Sequence, residues 1–471
     1  MTLAGLEHRV RDDLAALNLP PSAWAPPRPG VMDVVVVGGG MLGLAASFAL
    51  MRLGIRHRVL DRAPAGQEGP WVTYARMETL RSPKHLVGPA GDFAALTFRA
   101  WFTAQHGPAA WDALGKIPRA MWMDYLTWFR RVLGLPVENG VGLRAVRPGP
   151  DGMVLVETTA GAFMARHLVL ATGRDGLGGP RLPPWVPAGR GPRIRHSAEP
   201  IDFDALAGQD VAVVGASASA VDNAATALEH GARTAHLLVR RDAIPVLNRF
   251  KSMVHAGYTH GFAGLDDRAK LDVLRAAMAG AVAPPRESLM RLSRQPGFRL
   301  HLGTPVLSVQ EDAAGVTLRL PGDTLRVAML ILGTGFTVDL RLRPELAEIA
   351  PLARLWGDAV PDAGEFAPNP YLGPSFEFQE RTPGAAPWIG RVHAFSIGAI
   401  AGQGLVSGDI PGVADGARRL AEGIARQMFV ADAPAHLRAL RAYAEPELLG
   451  DEVSSDRLVQ QILDPALAYG D

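Results

Sequence analysis

The strongest constraint on this chain is a structural plan written twice. An apolar, strand-like run, Val31–Val37, leads into Gly38-Gly39-Gly40-Met41-Leu42-Gly43, a helical stretch through Leu53, and Gly54. A second strand, Arg58-Val59-Leu60, ends at Asp61. The same grammar returns as Asp210-Val211-Ala212-Val213-Val214 followed by Gly215-Ala216-Ser217-Ala218-Ser219-Ala220. A helix to about His230 and the strand Ala235-His236-Leu237-Leu238-Val239 complete the unit, which ends at Arg240-Arg241. Each unit is then followed by an expected hairpin, over 143–159 around Asp151-Gly152 and over 306–320 around Ala314-Gly315. A buried strand and a Thr-Gly turn close each copy: Leu168-Val169-Leu170 before Ala171-Thr172-Gly173, and Met329-Leu330-Ile331-Leu332 before Gly333-Thr334-Gly335. A supersecondary unit repeated in this way predicts two similar α/β layers in one chain.

The glycines have physical reasons. Gly38 permits the tight turn, Gly40 lets backbone approach a pyrophosphate, and Gly43 lets the helix pack close to the strand. The helix start supplies free N–H groups and a positive dipole end for the anion. Asp61, 18 residues after Gly43, is placed to accept hydrogen bonds from a ribose diol. The second turn replaces glycine by Ser217 and Ala220, both small, and Ser217 and Ser219 could add hydroxyl bonds to phosphate. Arg240 lies 20 residues after Ala220, with Arg241 beside it. Guanidinium groups bind a 2′-phosphate bidentately where an acid would repel it, so the pair favours NADPH over NADH. The fold class expected is therefore α/β, with two Rossmann-like dinucleotide-binding domains, the second inserted into the first. The expected divisions are an N-terminal helix and Pro-rich linker over 1–30, the first domain over 31–190, the inserted domain over 191–332, and the rest of the first domain with C-terminal helices over 333–471. Leu3, Leu6, Val10, Leu14 and Leu17 give the N-terminal helix its apolar face. Pro20, Pro21, Pro26, Pro27 and Pro29 stiffen the linker, and Gly30 ends it.

Composition narrows the function. Cysteine is absent from the 471 residues, which removes disulfides, thiolate metal sites and a redox dithiol. A net charge of +1 gives no electrostatic case for nucleic acid or an anionic membrane. No apolar run approaches a membrane span and no signal-peptide order is visible, so a cytoplasmic location is expected. The histidines, among them His85, His106, His196 and His393, have no ligand-like spacing, and no metal is expected.

With these motifs in hand, the chain resembles the flavin-dependent monooxygenases that carry two dinucleotide domains, a group that includes N-hydroxylating, S- or N-oxygenating and Baeyer–Villiger enzymes. The resemblance runs from 34 to about 429 and rests on the two Gly-rich turns, Leu170-Ala171-Thr172-Gly173, His196-Ser197 and Gly333-Thr334-Gly335-Phe336. Arg76-Met77-Glu78-Thr79-Leu80, Lys84-His85-Leu86-Val87, Leu96-Thr97-Phe98, Met123-Asp124-Tyr125-Leu126-Thr127-Trp128 and Gln403-Gly404-Leu405-Val406-Ser407 are most similar to ornithine and lysine N-hydroxylases. The sequence departs from the group where Glu78 replaces glutamine, Pro192 replaces glycine and Phe336 replaces tyrosine.

The resemblance implies FAD in the first cradle, NADPH in the second, and dioxygen and a small molecule as co-substrates. It implies a flavin C4a-hydroperoxide that oxygenates a soft nucleophile, first of all an amine. Baeyer–Villiger or sulfur oxygenation, and a non-oxygenating NADPH–flavin reductase, are the alternatives. Implied cofactor contacts are Gly38, Gly40, Gly43, Asp61, Arg62, Trp71, Met77, Glu78, Gly215, Ser217, Ser219, Arg240, Arg241, Gln403 and Asp409. Lys84 and Arg81 are the charged residues expected beside the flavin. Trp71, Phe98, Trp101, Phe102, Trp122 and Trp128 could exclude water, although half of them are expected to be plain core. Asp409 could face the flavin's ribityl chain or cap a helix expected over 416–426. A homo-oligomer is compatible with the sequence.

Overall fold

The computed structural model describes residues 1–447. Met1–Ala425 form one compact unit, and a second begins at Arg426. Helix α1 (Leu3–Ala16) starts at Thr2, whose hydroxyl accepts from the Gly5 N–H, and buries Leu6 and Val10 as its apolar face requires. β1 (Val31–Val37), α2 (Met41–Arg52) and β2 (His57–Asp61) make the first βαβ unit. Helices α3 (Phe98–Ala113) and α4 (Arg119–Val132) follow, then the short edge strand β3 (Val137–Asn139). β1 is apolar almost throughout because both of its edges and both of its faces are covered.

The expected hairpin after the first unit is a three-stranded meander. β4 (Leu143–Pro148) and β5 (Val154–Thr158) pair antiparallel, and a tight turn at 158–161 sends β6 (Gly161–Leu170) back beside β5. That turn is held by Thr158, whose hydroxyl donates to the Gly161 carbonyl and accepts from the Ala160 N–H. β6 then runs on into the parallel sheet against β1, so the first sheet reads β3-β2-β1-β6-β5-β4.

The crossover to the second unit passes through β7 (Gly178–Pro180). The second sheet holds β8 (Ile194–His196), β9 (Asp210–Val214), β10 (Thr234–Leu238), β11 (Phe298–His301) and β15 (Met329–Leu332), in the order β11-β10-β9-β15-β8 and all parallel. α5 (Ala218–Glu229) lies on it and buries Val221, Ala224 and Leu228 against Val211, Val213 and Leu237. Between β10 and β11 come α6 (Ala256–Gly261), α7 (Asp267–Met278) and α8 (Arg286–Ser293). The second meander is also three-stranded: β12 (Ser308–Glu311), β13 (Val316–Leu320) and β14 (Asp323–Val327).

The chain returns through β16 (Phe336–Val338), which pairs antiparallel with β7. At this double crossover His196 is buried, and its Nε2 donates to the Gly335 carbonyl (2.9 Å). After the short helix α9 (Trp356–Ala359), β17 (Val392–His393) joins β6 in parallel. His393 Nδ1 donates to the Ser375 carbonyl (2.8 Å), so its Nε2 is the acceptor facing His167 Nδ1 (3.1 Å). Helices α10 (Ile400–Gln403), α11 (Val413–Ala431) and α12 (Ala433–Arg441) complete the described chain. α11 starts earlier than the helix expected over 416–426 because the turn Ile410–Gly412 feeds straight into it. Residues 448–471 of the expected C-terminal part lie outside the described residues. No described helix is long and apolar enough to cross a membrane.

Candidate functional site

At the end of β1 the chain turns at Gly38, with φ +106° and its N–H donating to the Leu60 carbonyl (2.7 Å). A Cβ on Gly38 would lie 2.3 Å from the Ala171 oxygen, and one on Gly43 only 1.7 Å from the Gly38 oxygen. These two glycines let α2 start hard against the sheet. Gly40 differs. A Cβ there would rest in ordinary contact against the Gly69 backbone, 3.7 Å from its Cα, so the fold itself has room for a side chain. The first bond within α2 runs from the Leu44 N–H to the Gly40 carbonyl (2.9 Å), which leaves the preceding N–H groups at the helix's positive end free for an anion.

Asp61 braces this turn. Its carboxylate accepts from the Gly39 N–H (2.6 Å) and the Ala63 N–H (2.7 Å), while Arg62 beside it is exposed. Glu68 was not singled out from the sequence. It is buried and accepts from Arg130 (2.9 Å), Asn139 (2.7 Å) and the Gly66 N–H (2.8 Å), so it holds the 66–70 loop beside Gly40. Its side-chain partners lie 62 and 71 residues away, a pairing that no local pattern announces.

The second turn repeats the geometry at Gly215, with φ +138° and its N–H on the Leu238 carbonyl (3.1 Å). Ala220 is tolerated because the strand end it faces is Gly333, where a Cβ would sit 2.6 Å from Ala220 Cα. The first copy has Ala171 at that place. Ser217 donates to the Val282 carbonyl (2.7 Å) and Ser219 to the Ser197 hydroxyl (2.7 Å). The hydroxyls expected to reach phosphate thus donate within the protein instead. Arg240 is exposed beyond β10, and its guanidinium makes no hydrogen bond or ion pair among the described residues. The Arg241 guanidinium reaches the Gly280 carbonyl.

A charged cleft lies between the two cradles. Arg291 on α8 donates to Glu229 (2.6 Å), Thr226 (3.1 Å) and, across the cleft, the Arg76 carbonyl (2.8 Å). It also stands 3.8 Å from Asp222 and 3.8 Å from Glu78. Burial pushes the Asp222 carboxyl above the usual range, against the pull of Ser288, Arg291 and Arg81. Glu78 is largely exposed, and its backbone carbonyl accepts from the Arg119 N–H (3.0 Å). Met77 is half-buried on the same segment.

The Arg81 side chain is exposed at its surface, with protein atoms crowded around it. That desolvation, then the like charge of Arg174, holds its guanidinium below its ordinary value, with Asp222 and Asp409 opposing. Lys84 is elsewhere. Its ammonium donates to the carbonyls of Trp111 (2.5 Å), Asp112 (3.3 Å) and Leu114 (2.5 Å) and lies over the Trp111 ring, which makes it the cap of α3's C-terminal end.

The aromatic side chains form core more than pocket. Phe98, Trp101, Phe102, Trp122 and Trp128 are buried between α3 and α4 around Tyr125. Trp71 alone of the six is half-buried, edge-on to Trp122 at 6.3 Å. Gln403 is buried, with Nε2 donating to the Gly373 carbonyl (2.8 Å) and Oε1 left without a partner. Asp409 accepts from the Ile410 N–H (3.0 Å) at the head of the turn before α11. Gly404, Leu405 and Val406 between these two residues, with Pro411 and Gly412 just beyond them, line a small open pocket opposite Met253, Tyr258 and Phe262.

Known proteins share this architecture. The L-lysine 6-monooxygenase of Pseudomonas syringae superposes with a TM-score of 0.65 at 17% identity, over 84% of this chain and 99% of that one. The ornithine N-hydroxylase of Kutzneria sp. 744 gives 0.65 at 16% identity, over 84% and 99%. At such identities the likeness concerns the fold alone. In sequence, an FAD-dependent urate hydroxylase of Xanthomonas campestris pv. campestris is 41% identical over 463 residues, covering 96% of this chain and 98% of that protein. The pyridine nucleotide-disulphide oxidoreductase profile matches residues 35–278. The chain belongs to the pyridine nucleotide-disulphide oxidoreductase family, and within it to the flavin-dependent monooxygenases with two dinucleotide domains.

Proposed function

We propose that this chain is an FAD- and NADPH-dependent monooxygenase that oxygenates urate or a closely related planar, anionic purine. The observation that carries the substrate is the 41% identity, over nearly its whole length, to a urate hydroxylase. The family's disulphide chemistry does not apply, because a chain without cysteine has no thiol pair to pass electrons through. The expectation of an amine substrate gives way here, since the amine hydroxylases are related to this chain by fold alone.

The residues present fit both cofactors. The bare backbone at Gly40 and the start of α2 suit the FAD pyrophosphate, Gly38 and Gly43 set the helix there, and Asp61 with Arg62 stands where the adenosine would lie. Gly215 and the backbone at Ser217 and Ser219 suit the NADPH pyrophosphate, and Arg240, supported by Arg241, suits its 2′-phosphate. Trp71, Met77, Glu78, Gln403 and Asp409 are the proposed surroundings of the flavin. The orphan Gln403 Oε1 is an acceptor for a ring N–H, because its amide nitrogen is already tied to Gly373. Bound FAD, reduced by NADPH, supplies the activated oxygen, while the chain positions the reactants and keeps water away. Lys84, engaged as a helix cap, stands outside this set.

The test is NADPH oxidation by FAD-loaded protein with urate, an alkyl diamine, a thioether and a ketone, peroxide being measured alongside. Urate should accelerate NADPH consumption and suppress peroxide release. Product from the diamine with no response to urate would replace the purine reading by the amine one.

A further inference from the structure

We propose that Arg291 is a positioning residue for hydride transfer: it latches the half of the molecule that carries the second cradle onto the 76–80 segment, with Asp222 as its second station. The proposal rests on the FAD and NADPH reading above and is independent of the substrate. Arg291 stands on α8, beside the helix α5 that starts at the second cradle, and its side chain is only 12% exposed. Two of its three nitrogens are committed within that half. Nε donates to Glu229 (2.6 Å), and Nη2 donates to the same carboxylate and to Thr226 (3.1 Å). A bidentate grip of this kind fixes the plane of the guanidinium. Nη1 is the end left over, and it donates across the cleft to the Arg76 carbonyl (2.8 Å). Arg76 is held a second time, its guanidinium 5.2 Å over the ring of Phe203, which is buried in the core under α5. The gripped segment is tied in turn to the start of α4. The Glu78 carbonyl accepts from the Arg119 N–H (3.0 Å), Leu80 donates to the Ile117 carbonyl (2.8 Å), and the Arg119 side chain donates to the Trp71 carbonyl (2.5 Å). Arg291 thereby holds the stretch that carries Trp71, Met77 and Glu78, the proposed neighbours of the flavin.

Asp222 makes this a latch and not a fixed strut. It is buried on α5, and its Oδ1 accepts no hydrogen bond although Arg291 Nη1 stands 3.8 Å away. A buried carboxylate oxygen left bare is costly. A swing of about 1 Å would bring Nη1 within hydrogen-bond range of it, at the expense of the Arg76 carbonyl. One donor thus faces two acceptors, one across the cleft and one on its own side. Letting go of Arg76 is offset by the bond gained at Asp222, so the latch has two states of similar energy. Hydride transfer carries two electrons from reduced nicotinamide to oxidised flavin and needs the reacting atoms about 3–3.5 Å apart, whereas coenzyme entry and departure need the cleft to loosen. A donor with two stations serves both.

The test uses FAD-loaded wild type, Arg291→Met, Asp222→Asn and Lys116→Met. The last removes an exposed ion pair to Glu287 (2.9 Å) that joins the same two sides, and surface pairs of this kind contribute little. Read are FAD per chain, the limiting rate and NADPH dissociation constant of anaerobic flavin reduction, reduction by dithionite, and, without coenzyme, amide hydrogen exchange over 76–80 and 117–119. Arg291→Met should load FAD and bind NADPH as wild type does, and dithionite should reduce it normally. Its limiting rate with NADPH should fall about 10-fold, and exchange over 76–80 should quicken about 3- to 10-fold, as loss of one hydrogen bond implies. Asp222→Asn weakens the second station, so exchange over 76–80 should slow. A residue that merely supported the fold would quicken exchange in both variants, and that result overturns the proposal. So does an unchanged limiting rate in Arg291→Met, a raised NADPH constant at an unchanged rate, or an equal fall in Lys116→Met. If Arg291→Met does not fold, the direction of the exchange change in Asp222→Asn decides. If NADPH fails to reduce the wild-type flavin, the coenzyme reading fails by itself, and the opposed exchange shifts still decide the latch.

Discussion

Two glycines three residues apart in the first cradle should fail in different ways. An alanine Cβ at Gly43 would sit 1.7 Å from the Gly38 carbonyl oxygen. No rotamer relieves this, because the backbone fixes where the Cβ sits and the oxygen is itself a backbone atom. α2 must lift from β1, and α2 buries Leu42, Leu44, Phe48 and Leu50. Overpacking of this kind costs about 1–3 kcal/mol and sometimes more, while the better helix propensity of alanine returns at most about 1 kcal/mol. At Gly40 the nearest atoms to a Cβ are 3.7 Å away, and the backbone, at φ −73° and ψ −170°, is open to any residue. Gly40→Ala should therefore cost apoprotein stability about 1 kcal/mol or less, as a helix-cap change does. It should still bind FAD poorly, because its methyl group occupies the pyrophosphate's approach. Urea denaturation of apoprotein and FAD titration by fluorescence separate the two effects. Gly43→Ala should shift the unfolding midpoint strongly, whereas Gly40→Ala should keep the midpoint and lose affinity. A Gly40→Ala protein that binds FAD as wild type does would refute the assignment of this turn as the FAD cradle. A Gly43→Ala protein of undiminished stability would refute the packing argument.

Three further outcomes are expected. Arg240→Ala should raise the Michaelis constant for NADPH about 10- to 100-fold and leave NADH nearly unchanged, with Arg241→Ala weaker because its guanidinium already serves the Gly280 carbonyl; equal effects on both coenzymes would reduce Arg240 to surface charge. Lys84→Met should lower the unfolding midpoint through loss of about 1–2 kcal/mol at the end of α3, with product per NADPH unchanged; a rise in peroxide at unaltered stability would instead return Lys84 to the flavin. Burial drops the buried His393 to about 4 from an ordinary 6.5, the Ser375 carbonyl partly opposing. The unfolded chain therefore binds a proton near 6.5 that the fold refuses until near 4, so stability is full above the unfolded value and should fall by about 2 kcal/mol on going down to about pH 5. His393→Gln should flatten that slope, and an equally steep wild-type and variant slope would place the titrating group elsewhere.

The duplicated plan was legible because its determinants are local. A buried strand, a turn that only small residues can make and a helix of apolar period are each written within about a dozen residues. So the two sheets and the tight, closely packed turns at Gly38, Gly43 and Gly215 were legible in the sequence. The exchange of glycine for Ala220 was visible too, but its reason was not. It lies in Gly333, more than a hundred positions away, brought opposite only when β15 pairs with β9. Likewise the residues around the cleft owe their meaning to distant partners. Lys84 looks like a flavin residue in sequence and is a helix cap in space, because the carbonyls it meets are 27 to 30 residues along. Glu68, Asp222 and Arg291 carried no signal of their own, since a buried charge is defined by what surrounds it. Arg81 was marked by its charge alone. Only the tertiary fold brings the charges of Arg174, Asp222 and Asp409 to bear on it, because Coulomb interaction and desolvation depend on distance in space and not on separation along the chain.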